Sequence, residues 1–478
     1  MDILTINNLI VAFETSQGEM TAVKGVSLSL AKGETLALVG ESGCGKTVLC
    51  KSMLKILCER GRIKEGEILL SGQDLVPLEE KEMVPCRGRD VAMIFQDPMS
   101  SLDPTMPVGR QIAEAAAGRT DDPKARALEL MRLVEIDHPR QRYEQMPHHF
   151  SGGMRQRIAI AIALAGDPQI LLADEPTTAL DEDTQKQILK LLAKIDIATI
   201  FITHDLSLVE DIADRVAIMK DGRIVETGSV RQVFDAPGHP YTKKLLGYLD
   251  YGKGRGHDHK HKQQRFDTPL VEVRNLKKSF SLDRHSIQNA LEDFSLDIYK
   301  GEILGLIGPS GCGKSTLARC LMGIYPPTSG QIRFFNEKKS KNWKQMIFQD
   351  SDSAFNSRMT IRQIIGEPLR IAEKRTPDRQ RIAELMEQVE LDPALMDRRP
   401  YDVSGGQRQR AAIARAISVD PEFIIADEPI SSLDISTQAQ IVHLFRRLQE
   451  ERNLTILLIA HDLPMVGHVS DRIVKMGE

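Results

Sequence analysis

The same series of short motifs occurs twice along the chain, in the same order. The glycine-rich loop GESGCGKT ends in Lys46 and Thr47, and its near copy GPSGCGKS ends in Lys314 and Ser315. MIFQD, SGG and ADEP then recur at one constant separation, and a histidine followed by Asp-Leu completes each series. Such a repeat predicts a duplicated domain, and 478 residues are enough for two copies of roughly 200 residues each.

A segment of different composition separates the copies. Residues 247–269 are rich in glycine, lysine and histidine and show neither helical nor strand periodicity, which predicts a flexible linker. Its His257, His259 and His261 could bind a metal ion, although a solvated tether is the usual role of so short a tract. The predicted organisation is a first domain at residues 1–246, which ends in an HPYT tail, a linker at 247–269 and a second domain at 270–478.

The two copies differ in length between the motif lysine and the glutamine of FQD. The first copy is longer there by about 15 residues, and the extra sequence includes the charged stretch LVPLEEKEMVPCRGRD, a composition typical of a surface loop. From FQD to ADEP the copies keep the same length, which indicates that this span tolerates no insertion.

Composition and charge exclude several classes of protein. Hydrophobic residues make up 41% and charged residues 27%, a balance typical of a soluble globular chain. The net charge of −4 argues against a protein that binds nucleic acid through bulk positive charge. No apolar run approaches the ~18 residues needed to cross a bilayer, and MDILTINN has no signal core, so a cytoplasmic location is expected.

The six cysteines form no CxxC pair, which indicates neither a zinc site nor a disulfide framework. Cys44 and Cys312 stand inside the glycine-rich loops. We interpret them as small side chains in a tight loop rather than as redox groups.

Short apolar segments run directly into the motifs. ETLALVG and EILGLIG precede the glycine-rich loops, QILLADE and EFIIADE end in acid pairs, and ATIFITHD and LTILLIAHD end in His-Asp. A helical stretch follows each loop. Continuous apolar strands that alternate with helices predict an α/β domain whose parallel sheet is covered on both faces.

The glycine-rich loops have the pattern G-x-x-x-x-G-K-[ST], in which glycines let backbone N–H groups converge on phosphate oxygens at the start of a helix. Lys46 and Lys314 are predicted to reach the β- and γ-phosphates of a nucleotide, and the next hydroxyls, of Thr47 and Ser315, to bind Mg²⁺. The predicted loop residues are Gly40, Glu41, Ser42, Gly43, Cys44, Gly45, Lys46 and Thr47, and then Gly308, Pro309, Ser310, Gly311, Cys312, Gly313, Lys314, Ser315 and Thr316.

An aspartate and a glutamate end the second apolar strand of each copy. Asp174 and Asp427 can bind Mg²⁺ directly or through water. Glu175 and Glu428 are then placed to orient and deprotonate an attacking water. Phosphoryl transfer needs this combination of positioning and charge stabilisation.

His204 and His461 end the third apolar strand of each copy. A histidine there can donate a hydrogen bond to a γ-phosphate, and the alternative is a structural role. Its repetition in both copies favours the first role.

SGG precedes a basic helical stretch in both FSGGMRQR and VSGGQRQR. Backbone N–H groups at such a helix start favour an anion. Each copy therefore has two anion-binding helix starts, of which one needs a phosphate from elsewhere. The residues are Ser151, Gly152 and Gly153, and Ser404, Gly405 and Gly406.

Together these motifs resemble the ATP-binding cassette (ABC) ATPases over nearly the whole chain. The P-loop, the FQD Q-loop, the SGG signature, the Asp–Glu pair, the ALD or SLD D-loop and the switch histidine match that family. The resemblance implies an α/β fold of two tandem P-loop NTPase cassettes, each with a RecA-like core, a β-subdomain and a helical subdomain carrying the signature. It implies ATP and Mg²⁺ as cofactors and ATP hydrolysis as the reaction.

In this family two cassettes face each other head to tail. The resemblance therefore implies that each ATP lies between the P-loop of one copy and the signature of the other. Lys46 would pair with 404–406 and Lys314 with 151–153, so that the cassettes dimerise within one chain.

The resemblance also assigns Gln96 and Gln349 to the nucleotide and the metal ion. Phe13 and Phe280 fall where the family often places an aromatic ring against adenine, and an ordinary strand aromatic is the alternative for each. Because both acid pairs keep their glutamate, two hydrolytic sites are expected. Met154 replaces the commoner glutamine of the signature, a difference expected to tune one site without disabling it.

Within the family, FQDPMSSLDP, FQDSDSAFN and HPYTKKLL resemble ATPases that energise the import of peptides, dipeptides or nickel. Those ATPases usually supply the two cassettes as separate polypeptides, which here look fused. The resemblance implies two membrane permease subunits and an extracytoplasmic substrate-binding protein as partners, and no nucleic acid. It implies a peripheral position on the cytoplasmic face of the cell membrane, with dipeptides, oligopeptides and nickel all open as the solute.

Two other functions remain open. A soluble twin-cassette ATPase acting on ribosomes would also have no membrane span, but such proteins have a long, charged, helical linker, and the linker here is short and contains glycine. A fused sugar-importer ATPase is the third, and HPYT and FQDP are not its usual pattern.

Overall fold

The computed structural model places most of the chain. The described residues are 2–15, 18–41, 43–177, 180, 182–252, 268–283, 286–309, 311–336, 342–348, 354–374, 376–430, 433, 435–460, 466–467 and 469–477. The chain divides into two compact units, Met1–Leu249 and Asp250–Glu478. The histidine tract 257–261 and four predicted site residues lie outside the described residues: Ser42, Ser310, Gln349 and His461.

The first unit contains an antiparallel sheet, a larger sheet and a group of helices. Its strands are β1 (Asp2–Thr15), β2 (Gly18–Ala31), β3 (Thr35–Val39), β4 (Gly61–Leu70), β5 (Gln73–Asp74), β6 (Val91–Ile94), β7 (Ile170–Asp174), β8 (Ala198–Thr203), β9 (Arg215–Lys220) and β10 (Arg223–Ser229). Its helices are α1 (Lys46–Met53), α2 (Glu80–Cys86), α3 (Pro98–Ser101), α4 (Val108–Ala116), α5 (Pro123–Leu133), α6 (Pro139–Arg142), α7 (Gly152–Leu164), α8 (Glu182–Ala193), α9 (Val209–Ile212), α10 (Val230–Asp235) and α11 (Pro240–Gly252).

The larger sheet of the first unit brings the predicted motifs to one edge. Its strand order is β10-β9-β3-β8-β7-β6, and its pairs are parallel apart from β10 with β9. The continuous apolar sequences of β7 and β8 are buried at every position, as expected of a parallel sheet covered on both faces. Val39 pairs with Thr203, and Asp174 with Ile202, so the segments that follow β3, β7 and β8 leave the sheet side by side.

The segment that lengthens the first copy forms helix α2, where a surface loop was predicted. The side chain of Glu82 accepts a hydrogen bond from the N–H of Glu79 at 2.8 Å, which satisfies a backbone donor before the first turn. Met83 is buried in the core beside the antiparallel sheet β2-β1-β4-β5. The loop prediction was wrong here because one capping contact and one buried side chain stabilise a short helix within a charged sequence.

A group of helices carries the SGG motif of the first unit. α7 packs against α3, α4, α5, α8 and β6. Their shared core contains Ile112, Leu130 and Ile158. Ser151 lies directly before α7, so this core fixes the direction in which the motif points.

The second unit repeats this plan. Its strands are β11 (Pro269–Asp283), β12 (Ser286–Tyr299), β13 (Ile303–Ile307), β14 (Ser329–Phe334), β15 (Lys344–Ile347), β16 (Phe423–Asp427), β17 (Thr455–Ala460) and β18 (Arg472–Lys475). Its helices are α12 (Lys314–Met322), α13 (Ile361–Glu373), α14 (Arg379–Gln388), α15 (Gly405–Ile417) and α16 (Ile435–Arg452). The antiparallel sheet has the order β12-β11-β14, and the parallel sheet has the order β15-β16-β17-β13-β18.

Helix α11 continues through residues 247–252, where the sequence showed no helical period. Its first turns are anchored because Tyr241 and Leu245 pack with Val39 and Leu206 in one core cluster. Once a helix has been nucleated in this way, adding further residues costs little. Within the described part of the chain, no helix is both long and apolar enough to span a membrane.

Candidate active sites

The first glycine-rich loop connects β3 to α1 and surrounds its own lysine. Gly45 has a φ of 106°, in the left-handed region that glycine adopts without strain. A Cβ at Gly40 would lie 2.1 Å from the carbonyl oxygen of Met219, so this position has no room for a side chain. Lys46 is 5% exposed, and its Nζ donates to the carbonyl oxygens of Gly40 at 2.7 Å and Glu41 at 2.9 Å. The ammonium group is therefore held within the loop.

The second loop has the same geometry. Gly313 has a φ of 103°, and a Cβ at Gly308 would lie 2.3 Å from the carbonyl oxygen of Met476. Lys314 Nζ donates to the carbonyl oxygens of Gly308 at 2.6 Å and Pro309 at 2.8 Å. Both loops thus present a buried cation beside the start of a helix, the arrangement that binds phosphate. Thr47, Ser315 and Thr316 lie in the first turns of the two helices.

The loop cysteines pack against the lysines. Cys44 Sγ lies 3.8 Å from Lys46 Nζ, and Cys312 Sγ lies 3.8 Å from Lys314 Nζ. Burial raises the pKa of the Cys44 thiol above its usual value, so the neutral form is favoured. All six cysteines are free thiols, and Cys44 is buried.

The hydroxyl after each lysine donates to the aspartate of the acid pair. Thr47 Oγ1 lies 3.0 Å from Asp174 Oδ1, and Ser315 Oγ lies 3.1 Å from Asp427 Oδ1. Both aspartates are 2% exposed, and burial raises the pKa of each carboxyl although the hydroxyl hydrogen bond opposes the shift. A paired hydroxyl and carboxylate supply the oxygen ligands that Mg²⁺ prefers, so these residues fit the ion.

The glutamates of the acid pairs have an unusual backbone conformation. Glu175 has a φ of 46° and Glu428 a φ of 48°, a region that costs a non-glycine residue about 1–2 kcal/mol. Each N–H extends the parallel ladder by donating at 3.0 Å, Glu175 to the carbonyl of Ile202 and Glu428 to that of Ile459. The same strained conformation therefore occurs in both units at the residue predicted to act on the attacking water.

In the first unit, the carboxylate of Glu175 joins two other predicted site residues. Gln96 Nε2 donates to one oxygen at 2.9 Å, and His204 Nδ1 lies 3.2 Å from the other. The Q-loop, the acid pair and the switch histidine therefore meet at one carboxylate. Gln349 and His461 of the second unit lie outside the described residues.

The contact between His204 and Glu175 changes the pKa of the histidine, and this change can be measured. Burial disfavours the charged imidazole, yet the hydrogen bond and charge of Glu175 raise its pKa above the ordinary value. The pair therefore stabilises the fold below the ordinary histidine pKa, and this contribution is lost as the pH rises through the raised one. We expect NMR titration of the nucleotide-free protein to give His204 a pKa above that of exposed histidines, and Glu175→Gln to lower it. An unchanged pKa in the variant would contradict the contact.

The SGG motifs cap their helices differently in the two units. Ser404 Oγ accepts from the N–H of Gln407 at 3.3 Å, and Gln407 Oε1 accepts from the N–H of Ser404 at 2.9 Å. Ser151 Oγ accepts from the N–H of Met154 at 3.4 Å, but a thioether cannot complete the reciprocal carboxamide contact. Instead, Met154 Sδ lies 3.3 Å from Nη1 of Arg142. The first signature thus has one cap contact where the second has two.

The second glycines of the motifs are fixed by packing within their own units, whereas the first ones are not. A Cβ at Gly153 would lie 2.4 Å from Thr184, and one at Gly406 would lie 2.5 Å from Thr437. At Gly152 the nearest such atom among the described residues is 4.0 Å away. A Cβ at Gly405 would likewise have ordinary contacts, the nearest at 3.5 Å.

A buried arginine that was not among the predicted site residues holds each signature helix. Arg157 donates to the carbonyl of Val134 at 2.8 Å, to Glu135 at 2.9 Å and to Gln187, on α8, at 2.7 Å. Arg410 makes the same three contacts in the second unit, with Val389, Glu390 and Gln440. The repeated RQR of the sequence was the signal for this arginine. It connects the helix of the signature to the helix that follows the acid pair.

The two predicted adenine-stacking aromatics have packing partners in their own units. Phe13, in β1, is partly buried, and its ring would lie 2.6 Å from a Cβ at Gly61. Phe280, in β11, packs edge-on against Tyr325 at 5.3 Å between ring centres, with Lys278 Nζ 5.0 Å from its ring centre. Adenine stacking stays a prediction for both.

Comparison with known proteins connects this geometry to a family. The ABC transporter family model matches residues 23–178 and 291–431. The glutathione import ATP-binding protein GsiA of Pectobacterium atrosepticum is 40% identical over 527 aligned positions, which cover 99% of this chain and 84% of that protein. GsiA of Salmonella typhimurium is 39% identical over 528 positions, which cover 99% of this chain and 85% of its own.

Among solved structures, RNase-L Inhibitor matches 99% of this chain and 88% of its own with a TM-score of 0.63. At 19% sequence identity this likeness concerns the fold alone. The family model matches both copies, and the GsiA proteins align over nearly the whole chain. The resemblance to ABC ATPases is thereby confirmed, and the chain belongs to the ABC transporter family as a double-cassette ATPase coupled to transport.

Proposed function

We propose that the chain is the ATP-hydrolysing motor of an importer and drives solute uptake through separate membrane permeases. The observation that carries the proposal is the agreement between the two units. Each has a buried P-loop lysine, a hydroxyl–aspartate pair and a glutamate in the same strained conformation. Neither glutamate has been replaced, so both sites are expected to hydrolyse ATP. Each ATP would lie between the P-loop of one unit and the signature of the other.

The residues divide the chemical work at the first site. Lys46 and the loop N–H groups would hold the phosphates, while Thr47 and Asp174 would hold Mg²⁺. The ion supplies positive charge to the phosphate oxygens when it is bound. Glu175 would accept the proton of the attacking water, and Gln96 and His204 hold its two oxygens in place. The residues with the same proposed roles at the second site are Lys314, Ser315, Asp427, Glu428, Gln349 and His461.

An open groove beside the Q-loop segment supports contact with a permease. It has a volume of about 520 Å³ and is lined by Asp103, Thr105, Met106, Pro107, Arg110, Ala113 and Glu114. Gln111 fixes its rim, because its side chain accepts from the N–H of Asp103 at 3.0 Å and donates to the carbonyl of Met106 at 2.8 Å. A cytoplasmic helix of a permease would lie in this groove and be linked along the chain to Gln96. With such a contact, the protein would lie at the cytoplasmic face of the membrane.

The solute class is proposed from two independent features. HPYTKKLL and the FQDP segment resemble ATPases for peptides, dipeptides or nickel, and the GsiA relatives are named for glutathione import. The motifs fit peptides and nickel alike, whereas glutathione is a tripeptide, so the relatives favour a short peptide over nickel. An extracytoplasmic binding protein would deliver the peptide to two permease subunits, and these proteins would select the solute.

Uptake by a deletion strain tests the proposal. We expect the strain to lose uptake of labelled glutathione or a labelled dipeptide and to keep nickel uptake. Complementation with the intact gene should restore uptake, and the matched variant Lys46→Ala with Lys314→Ala should not. Loss of nickel uptake alone would overturn the choice of solute.

Fractionation tests the motor against the ribosomal alternative. The protein should co-purify with membrane permeases, and its recovery there should not depend on RNA. Co-sedimentation with ribosomes, with normal uptake of all three solutes in the deletion strain, would favour the soluble twin-cassette function instead. The RNase-L Inhibitor likeness does not decide between them, because it concerns the fold alone.

A further inference from the structure

The tail helix of the first unit contacts the phosphate-binding loop directly. Tyr241, in the first turn of α11, accepts a hydrogen bond through its hydroxyl from the N–H of Glu41 at 3.3 Å. These residues are 200 positions apart in sequence. Tyr241 is 6% exposed, so its hydroxyl reaches the loop from a buried ring.

The ring of Tyr241 is fixed from several sides. Lys220 Nζ lies 5.0 Å from the ring centre, and the ring packs in one core cluster with Val39, the last residue of β3. Glu226 accepts hydrogen bonds from the N–H groups of Gly238 at 2.7 Å and of residue 239 at 3.0 Å, which secures the start of α11. The helix therefore transmits any displacement of its first turn to the loop, because close-packed groups do not deform independently.

The second unit has no backbone N–H to pair at the corresponding position of its glycine-rich loop. Pro309 stands at the position of Glu41 and has no N–H to satisfy. A Cβ at Gly477, the counterpart of Lys220, would lie 3.5 Å from the Pro309 ring, an ordinary contact distance, and 3.1 Å from the Cβ of Cys312. The lysine contacts in the two loops are otherwise alike: Lys46 Nζ donates to the Glu41 carbonyl at 2.9 Å, and Lys314 Nζ to that of Pro309 at 2.8 Å.

We propose that Tyr241 is a positioning residue for the first nucleotide site, and that it makes ATP affinity there depend on the tail helix. The inference rests on the proposal that residues 40–47 bind ATP. The N–H of Glu41 is not needed for phosphate binding, because a proline serves at the same place in the second loop. Tyr241 instead satisfies this donor and holds the loop in its binding conformation. A partner that displaces α11 would therefore weaken ATP binding at the first site and leave the second unaffected.

Binding of a fluorescent ATP analogue to the full chain tests the inference one site at a time. Lys314→Ala leaves the first site to be measured, and Lys46→Ala leaves the second. Tyr241→Phe removes only the hydroxyl, whose neutral hydrogen bond predicts about two- to tenfold weaker binding at the first site. Binding at the second site should be unchanged. Tyr143→Phe, whose ring packs on Gly109 in the helical part, is the matched control and should change neither.

A double-mutant cycle separates positioning from a general structural effect. Glu41→Pro introduces the residue of the second loop and removes the N–H, so Tyr241→Phe should have no further effect in that background. Additive losses, or equal losses at both sites, would overturn the inference. If Lys46→Ala fails to reduce the number of bound analogues from two to one, the proposed nucleotide site is wrong instead.

Discussion

Glu175→Gln and Glu428→Gln are each expected to reduce ATP turnover about 10²–10⁴-fold at the site that carries the change. Glutamine has the shape of glutamate and can still contact Gln96 and His204, but it cannot accept the proton of the attacking water. Phosphate release from the purified full chain at saturating ATP measures the effect. Each single variant should lose at least the turnover of its own site, and the double variant should lose nearly all of it.

Two controls keep this result specific. ATP binding should persist in both variants, because the lysines and the hydroxyl–aspartate pairs are intact. Glu19→Gln is a matched surface change in the first unit, where it breaks ion pairs with Arg62 and Lys64 that contribute little to stability. It should leave turnover at the level of the intact chain. If either catalytic substitution leaves turnover untouched, that site does not hydrolyse ATP, and the expectation of two active sites is wrong.

The predictable parts of the structure are those whose signal is local in the sequence. Short apolar runs such as the Ile-Leu-Leu-Ala of β7 can be recognised as buried strands, and the acid pair that follows the run must then lie at the carboxyl edge of a parallel sheet. The pairing of Thr47 with Asp174 follows from that geometry and from the glycine-rich pattern. Helix α2 escaped prediction because its stability comes from one cap and one buried methionine rather than from periodicity.

Contacts between distant segments could not be predicted. Nothing in the letters ADEP indicates that Glu175 adopts a positive φ, since that conformation is usually signalled by glycine. The hydroxyl of Tyr241 meets the loop only because its ring packs in one core cluster with Val39, at the end of β3. Arg157 stands in the repeated RQR, but the repeat does not separate it from the other basic residue there, and its burial and its three partners do.

Gly152→Ala is expected to reduce ATP turnover at the site of the other copy by roughly 10²-fold, the effect of a misplacement of about 1 Å near the reacting groups. Among the described residues of its own unit the new Cβ meets no atom closer than 4.0 Å outside its own helix and chain neighbours, so folding should be unaffected. In the proposed pairing, however, residues 151–153 contact the nucleotide held by Lys314. Turnover should therefore fall in a Glu175→Gln background, which leaves that site active, and persist in a Glu428→Gln background.

The corresponding variant in the second copy, Gly405→Ala, tests the same pairing from the other signature. Its Cβ would have ordinary contacts within the second unit, and it should reduce turnover only where Glu175 remains active. An unchanged unfolding temperature shows that neither alanine acts through stability, in contrast to Gly153→Ala, whose Cβ would lie 2.4 Å from Thr184. If each alanine instead disables the site of its own copy, the signature serves the loop of the same cassette, and the head-to-tail arrangement is excluded. Losses in the crossed pattern require that both halves of each site come from different copies, because no other arrangement makes a change at residue 152 depend on Glu428.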